Sequence, residues 1–214
     1  MITIYHLSTS RSERIVWLME ELGLEYRMEF FQREPNGAAP QPMKEIHAIG
    51  KAPIIRDGDT VLAESGAIVD YIVRRHGEGR LAVQPQAPEF AQYLYWLHFA
   101  EGSLMSLMLI ALVLSRVPEA SASPVRKRIL DRMALMLAFV DAELADRSYF
   151  AGNAFTAADV MMVFPFTTMR QYLKYDLAPY ANIVAYLKRI ESRPAYRKAM
   201  ALAGPHVKQE VKAS

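Results

Sequence analysis

The sequence predicts an α/β N-terminal unit, β-α-β-α-β-β-α in order, followed by an all-α helical unit. Three observations carry this. Strand-like and helical patterns alternate over the first 80 residues. A stretch rich in Gly, Pro and Gln, Gly77–Pro88, then interrupts all periodicity. Beyond it, every periodic segment is helical. The boundaries follow: 1–80 for the first domain, 81–88 for the linker, 89–205 for the helical domain and 206–214 for a polar tail.

Each element has its own reason. Ile2–His6 is a run of strand formers. Ser12–Leu22 places Ile15, Leu18, Met19 and Leu22 at helical spacing, and Gly23 stops it. Glu25–Phe31 reads as the second strand. Residues 32–49 hold Pro35, Asn36-Gly37, Pro40 and Pro42, which leaves room only for a short helix near Met43–Ile46. Pro53–Arg56 and Thr60–Ala63 form a hairpin about an Asp57-Gly58-Asp59 turn, and Ser65–His76 is the helix that closes the unit. In the second unit, helices are expected over Glu89–Arg116, Pro124–Ala145, Ala157–Tyr172 and Ile183–Glu191, with a short one after Pro194.

Composition narrows the function classes. The 25 Lys and Arg against 23 Asp and Glu leave a net charge of +2, with no basic run punctuated by aromatics, which argues against nucleic acid as the ligand. The chain has no cysteine, so disulfides, thiolate metal sites and a cysteine nucleophile are excluded, and a reducing cytoplasm is the expected location. Met1–Tyr5 carries no signal-peptide pattern. The apolar run Leu104–Leu114 is too short to span a bilayer and reads as buried helix. The five histidines are scattered without metal-ligand spacing, so no metal is expected.

The most informative stretch is residues 50–72. Ala52-Pro53 enters a strand with one backbone donor removed, and X-Pro is the bond at which a cis peptide is accessible. Glu64-Ser65 opens a helix whose free N–H groups and positive dipole end suit a carboxylate. Together they describe a cradle for a peptide with a free carboxylate; a proline-entered hairpin before an N-capped helix is the plainer alternative. In this order and spacing the two motifs resemble the glutathione-binding half of the cytosolic glutathione transferase superfamily. A second motif agrees: Thr156 and Asp159 are placed as a capping box, and Phe155 and Val160 as a hydrophobic staple, which the family carries at this point of its helical domain.

The resemblance implies a thioredoxin-like first domain and a bacterial-type member, serine/threonine-like rather than cysteine-type. It implies an enzyme with glutathione as co-substrate, acting on a small hydrophobic electrophile, and a homodimer. It assigns the main chain of Ala52, before Pro53, to the cysteinyl backbone of glutathione, Lys51 to the glycyl carboxylate, and Ser65 with Glu64 to the γ-glutamyl end. His47 and Gln32 border the same groove as weaker candidates.

The thiol itself needs a donor, because the thiolate is the nucleophile and a free thiol titrates near ~8.5. The loop Leu7–Ser12 offers four hydroxyls and a guanidinium just before a helix N-terminus. Its candidates are Ser10 first, then Thr9, with Tyr5 and Ser12 behind; Arg11 either raises the positive potential at sulfur or binds a carboxylate. Ser10 and Glu13 also have capping-box spacing, so Ser10 could equally cap the helix. The electrophile is expected between the domains, near Tyr93, Trp96, Ala100, Leu104 and Met108, residues that also read as core; Glu101 reads as an interface contact. Two other functions fit the same scaffold: a glutathione-dependent reductase, peroxidase or isomerase, and a non-catalytic interaction module.

Overall fold

The computed structural model describes residues 1–207. Its first unit holds a four-stranded mixed sheet in the order β2-β1-β3-β4. The strands are β1 (Ile2–Leu7), β2 (Tyr26–Phe31), β3 (Ile54–Asp57) and β4 (Thr60–Ala63). Strands β1 and β2 run parallel, joined by helix α1 (Glu13–Leu22), as a parallel pair requires a crossover. Strand β3 lies antiparallel to β1, and β4 antiparallel to β3. Helix α2 (Gln41–Ile46) fills part of the proline-rich interval, and α3 (Ser65–Arg75) follows β4 directly.

Ile4, Ile15, Leu18, Ile54, Ile55, Ile68 and Ile72 are all fully buried, which is the reason the alternating and helical patterns were legible in this segment. Asp57 fixes the hairpin to α3 by accepting hydrogen bonds from Tyr71 Oη at 2.9 Å and pairing with His76 Nε2 at 2.7 Å. Both neighbours hold the Asp57 carboxyl below its usual pKa against the opposing effect of burial.

The second unit contains α4 (Phe90–Phe99), a π-helical segment Ala100–Met105, α5 (Ser106–Ser115), α6 (Pro124–Glu143), α7 (Ala157–Phe166), α8 (Met169–Tyr172) and α9 (Ala181–Glu191). Phe90–Ser115 is thus one continuous helical run, and the expected single helix carries a π segment in the middle. By length and composition alone this run could cross a membrane; its inward residues Tyr93, Trp96, Ala100, Leu104 and Met108 are core. Trp96 sits in an aromatic cluster with Phe99, Phe139 and Phe150, ring centroids 4.9–5.8 Å apart from its own.

The helix expected over Ala157–Tyr172 breaks at Thr167–Thr168. Pro165 removes a backbone donor, while Thr167 Oγ1 donates to the Val163 carbonyl and Tyr175 Oη to the Pro165 carbonyl. These side chains satisfy carbonyls that a further turn would otherwise need.

The last helix, α10 (Pro194–Ala203), differs from the expected division. The compact units are Met1–Arg80 with the segment from Glu191 onward, and Leu81–Ile190. Helix α10 lies on α1: Tyr196 packs edge-on against Trp17 at 4.9 Å, Lys198 pairs with Glu20, and Arg193 grips Glu21 through two nitrogens at 2.6–2.7 Å. The polar tail expected from 206 lies, from 208 on, outside the described residues.

Candidate functional site

Register alone gathers the candidate residues of the first unit. Strand β1 ends at Leu7, where its parallel neighbour β2 ends at Phe31. The antiparallel strand β3 begins at that same end, with Ile54 opposite Tyr5. Strand β4 returns to it, with Ala63 opposite Ile54. One end of the sheet therefore collects the Ser8–Ser12 loop, Gln32, Lys51-Ala52-Pro53 and Glu64-Ser65, from four separate places in the sequence.

The Ala52–Pro53 peptide is cis, and Ala52 lies just outside the β3 pairings, which start at Ile54. Gly50, at φ +61°, makes the turn before it; a Cβ there would come within 2.5 Å of Lys44 Cγ, so any other residue strains the backbone and displaces the Lys44 side chain. Lys51 is exposed. His47 ends α2, its N–H donating to the Met43 carbonyl.

Glu64 adopts φ +72°, ψ +120°, unusual for a residue with a Cβ. It occupies the N-cap of α3 and makes no side-chain cap hydrogen bond. Ser65 is the first helical residue and is buried. The plain N-cap alternative for Ser65 is therefore not what forms: the cap position belongs to Glu64. The helix opens with backbone donors that lack intrahelical acceptors, next to the exposed Glu64, whose carboxylate does not cap them.

The loop after β1 is held from behind. Arg33, a residue the sequence reading passed over, donates from Nε to the Ser8 carbonyl and from Nη2 to the Thr9 carbonyl, both at 3.0 Å. Thr9 has φ +50°, and its hydroxyl donates to the Pro205 carbonyl at 3.4 Å. Backbone strain of about 1–3 kcal/mol per residue is tolerated where surroundings enforce it, commonly at binding sites; Thr9 and Glu64 both lie at this end of the sheet.

The hydroxyl candidates separate by their partners. Tyr5 is 7% exposed, packs with Leu7, Met43 and Ile54, and its Oη accepts from Arg56 Nε at 3.0 Å. Ser12 is fully buried and occupies the N-cap of α1 without a side-chain cap bond. Its Oγ is instead turned to β1, accepting from the Leu7 N–H at 3.2 Å and lying 2.8 Å from His6 Nδ1. Ser10 Oγ lies 2.7 Å from Ser12 Oγ and accepts from the Ser12 N–H at 3.2 Å. Ser10 thus makes a local serine turn rather than the capping box its spacing with Glu13 allowed. Arg11 is half-buried beside it. Burial pushes the His6 imidazole down to about 4, so the ring is neutral at physiological pH.

In the second unit, the capping box at Thr156 and Asp159 is present. Asp159, fully buried, accepts from Thr156 N–H at 2.8 Å, Phe150 N–H at 3.1 Å and Tyr186 Oη at 3.1 Å. Phe155, expected to staple onto Val160, stands edge-on to Tyr149 at 5.6 Å. Tyr93, Trp96, Ala100, Leu104 and Met108 are fully buried core residues. Among the described residues no three His, Asp or Glu side chains come together as a metal-ligand set.

Comparison with known proteins agrees with this geometry. The glutathione S-transferase N-terminal domain profile matches residues 1–74, and the C-terminal domain profile residues 104–194. Glutathione S-transferase 3 of Schizosaccharomyces pombe is 34% identical over 212 residues, covering 93% of this chain and 86% of that protein. Glutathione S-transferase 1 of Saccharomyces cerevisiae is 28% identical, with 92% of each chain covered. A crystal structure of a glutathione S-transferase from Actinobacillus pleuropneumoniae superimposes with a TM-score of 0.87 at 35% identity, over 96% of this chain and 95% of that one. With its cis-proline cradle, its helix-opening Glu64-Ser65 and its capping box all formed, the chain belongs to the glutathione S-transferase family.

Proposed function

We propose that this glutathione transferase activates the thiol of bound glutathione through the hydroxyl of Ser10, and that the thiolate attacks a small apolar electrophile. The observation that supports this reading is the hydrogen-bond pattern of the candidate hydroxyls: Tyr5 accepts from Arg56, Thr9 donates to Pro205 and Ser12 is turned to β1, whereas the Ser10 hydroxyl bonds, among the described residues, only to Ser12, through contacts in which its Oγ can act as acceptor and keep its own proton for sulfur. Ala52 pairs its main chain with the cysteinyl backbone, and Lys51 holds the glycyl carboxylate. Ser65 and the first N–H groups of α3 hold the γ-glutamyl carboxylate, and Glu64 its ammonium.

In the reaction the thiol proton leaves to solvent and Ser10 donates a hydrogen bond to the remaining anion. Sulfur then forms a bond to the electrophilic carbon. The displaced group departs with its electron pair or, in an addition, the pair moves onto the acceptor and is protonated by water. Ser10 keeps its own proton throughout; Arg11 adds positive potential. The absence of cysteine favours this over a covalent protein–thiol mechanism.

The dimer implied by the family is proposed on the exposed apolar side chains Leu109, Ile110 and Val113 of α5 with Leu135 and Phe139 of α6; sedimentation velocity tests it. A cytoplasmic location is proposed on the lack of cysteine alone.

The test of the site is a pH titration of thiolate ultraviolet absorbance in the enzyme–glutathione complex. A thiol pKa well below ~8.5 is expected, rising by about 1–2 pH units in Ser10→Ala, the equivalent of a lost charge-assisted hydrogen bond. Tyr5→Phe should leave it in place. Ser65→Ala should weaken glutathione binding about tenfold or more without moving the thiol pKa. An unshifted thiol in the wild-type complex refutes the activation reading, and oxidised glutathione as sole product transfers the enzyme to the reductase class.

A further inference from the structure

The buried residue His6 lies outside every motif discussed above, yet through Ser12 it continues the hydrogen-bond chain that ends at Ser10. Three atoms stand in line: His6 Nδ1, Ser12 Oγ at 2.8 Å, and Ser10 Oγ a further 2.7 Å on. His6 is completely buried, and its ring packs on Phe30 at 4.9 Å between centroids. Its Nε2 is buried with no hydrogen-bond partner.

A donor and acceptor count decides which way this chain points. Suppose Nε2 carries the proton. Then Ser12 O–H donates to Nδ1, Ser10 O–H donates to Ser12 Oγ, and Ser10 presents only a lone pair outward. That arrangement repels a thiolate, and it leaves a buried N–H with no acceptor, the rarest defect in folded proteins. Suppose instead Nδ1 carries the proton. Ser12 Oγ then accepts from Nδ1–H and from the Leu7 N–H, and of the two acceptors open to its own proton, the Leu7 carbonyl at 3.4 Å and Ser10 Oγ at 2.7 Å, the nearer takes it. Ser10 Oγ is filled by Ser12 O–H and Ser12 N–H. The uncommitted group is the Ser10 proton, and the only deficit is an unused lone pair on Nε2.

We infer that His6 is a positioning residue which, as the Nδ1–H tautomer, drives the Ser12 and Ser10 hydroxyls in one direction and commits the Ser10 proton to the glutathione sulfur. Successive hydrogen bonds of one sense polarise one another in a low-dielectric interior, so the last donor is strengthened. Burial keeps the ring neutral, which preserves a single direction across the physiological pH range. The inference rests on the Ser10 reading above.

The experiment has two arms. Nitrogen NMR of the ligand-free protein reads the His6 tautomer directly, independent of activity; Nδ1–H is expected, and Nε2–H overturns the proposal. The second arm measures the thiol pKa in the glutathione complex for His6→Phe, His6→Asn, Ser12→Ala and Ser10→Ala, with circular dichroism to confirm folding. His6→Phe and Ser12→Ala should each raise the pKa by about one unit, with kcat falling about tenfold and KM little changed. His6→Asn, whose amide nitrogen reaches the Nδ1 position, should recover most of the loss. A packing role for His6 predicts the reverse, Phe tolerated and Asn not, and that outcome overturns the proposal. If Ser10→Ala alone leaves the pKa in place, the Ser10 reading itself fails, and the relay built on it fails too. If His6→Phe does not fold, the tautomer and His6→Asn remain decisive.

Discussion

Asp159 offers the sharpest stability test, because its four hydrogen bonds differ in what can replace them. One carboxylate oxygen accepts from the Phe150 N–H and Tyr186 Oη, the other from the N–H and hydroxyl of Thr156. In Asp159→Asn the amide nitrogen must occupy one of these two places. The hydroxyl it meets can rotate and accept from it, but the backbone N–H it meets cannot. One buried backbone donor is therefore left unmade in either orientation, a cost of about 1–3 kcal/mol. Asp159→Ala removes the acceptor of both N–H groups and opens a cavity, about 3–5 kcal/mol. Burial raises the Asp159 pKa to about 6, against the hydrogen bonds that lower it. A raised folded-state pKa means that the native protein holds an extra proton between the ordinary value of 3.8 and about 6, so this group's contribution falls as pH rises through that window and is flat above it. Urea unfolding followed by tryptophan fluorescence, repeated across that pH range, reads both effects. Equal stability of wild type and Asp159→Asn, with the same pH slope, would refute the reasoning.

Three further outcomes follow from the same accounting. His6, lowered by burial to about 4 from 6.5, keeps its full contribution above pH 6.5 and loses it as pH falls toward 4. The loss is about 3 kcal/mol, and His6→Phe should flatten that part of the acid-unfolding profile. Glu21→Ala removes the acceptor of both Arg193 and the Trp17 indole N–H; about 3 kcal/mol of destabilisation is expected in urea unfolding, with faster proteolysis of the C-terminal helix. Arg33→Ala releases the Ser8 and Thr9 carbonyls, and should raise the thiol pKa and lower kcat more than it changes overall stability.

Local chemistry makes much of this protein readable from its sequence. Strand alternation, helical spacing and glycine stops gave the element order of the first unit, because Ile4, Ile15, Leu18 and Ile72 obey the periodicity of the faces they bury. The cis peptide at Ala52-Pro53 and the helix start at Glu64-Ser65 are local backbone features, so they too were visible. The helix break at Thr167 was not, since it depends on side chains choosing particular carbonyls, and neither was the π segment at 100–105, which lies inside a continuous helical run.

What tertiary structure decided was partnership. The sequence left Ser10, Thr9, Tyr5 and Ser12 as competing hydroxyls, and could not tell a cap from a ligand contact. Spacing fixes which groups are close along the chain, whereas a hydroxyl's role is set by which donors and acceptors fold places around it. Pairing of β3 with β1 set Arg56 beside Tyr5, the turn after β1 set Ser12 against Leu7, and the chain leaving α10 set Pro205 beside Thr9. The turn after β1 brought Ser12 back to His6, and side-chain packing brought α10 onto α1 from about 180 residues away. The contacts of Tyr5, Thr9 and α10 join distant segments, those of Ser12 depend on the path of one turn, and no periodicity along a single segment records either.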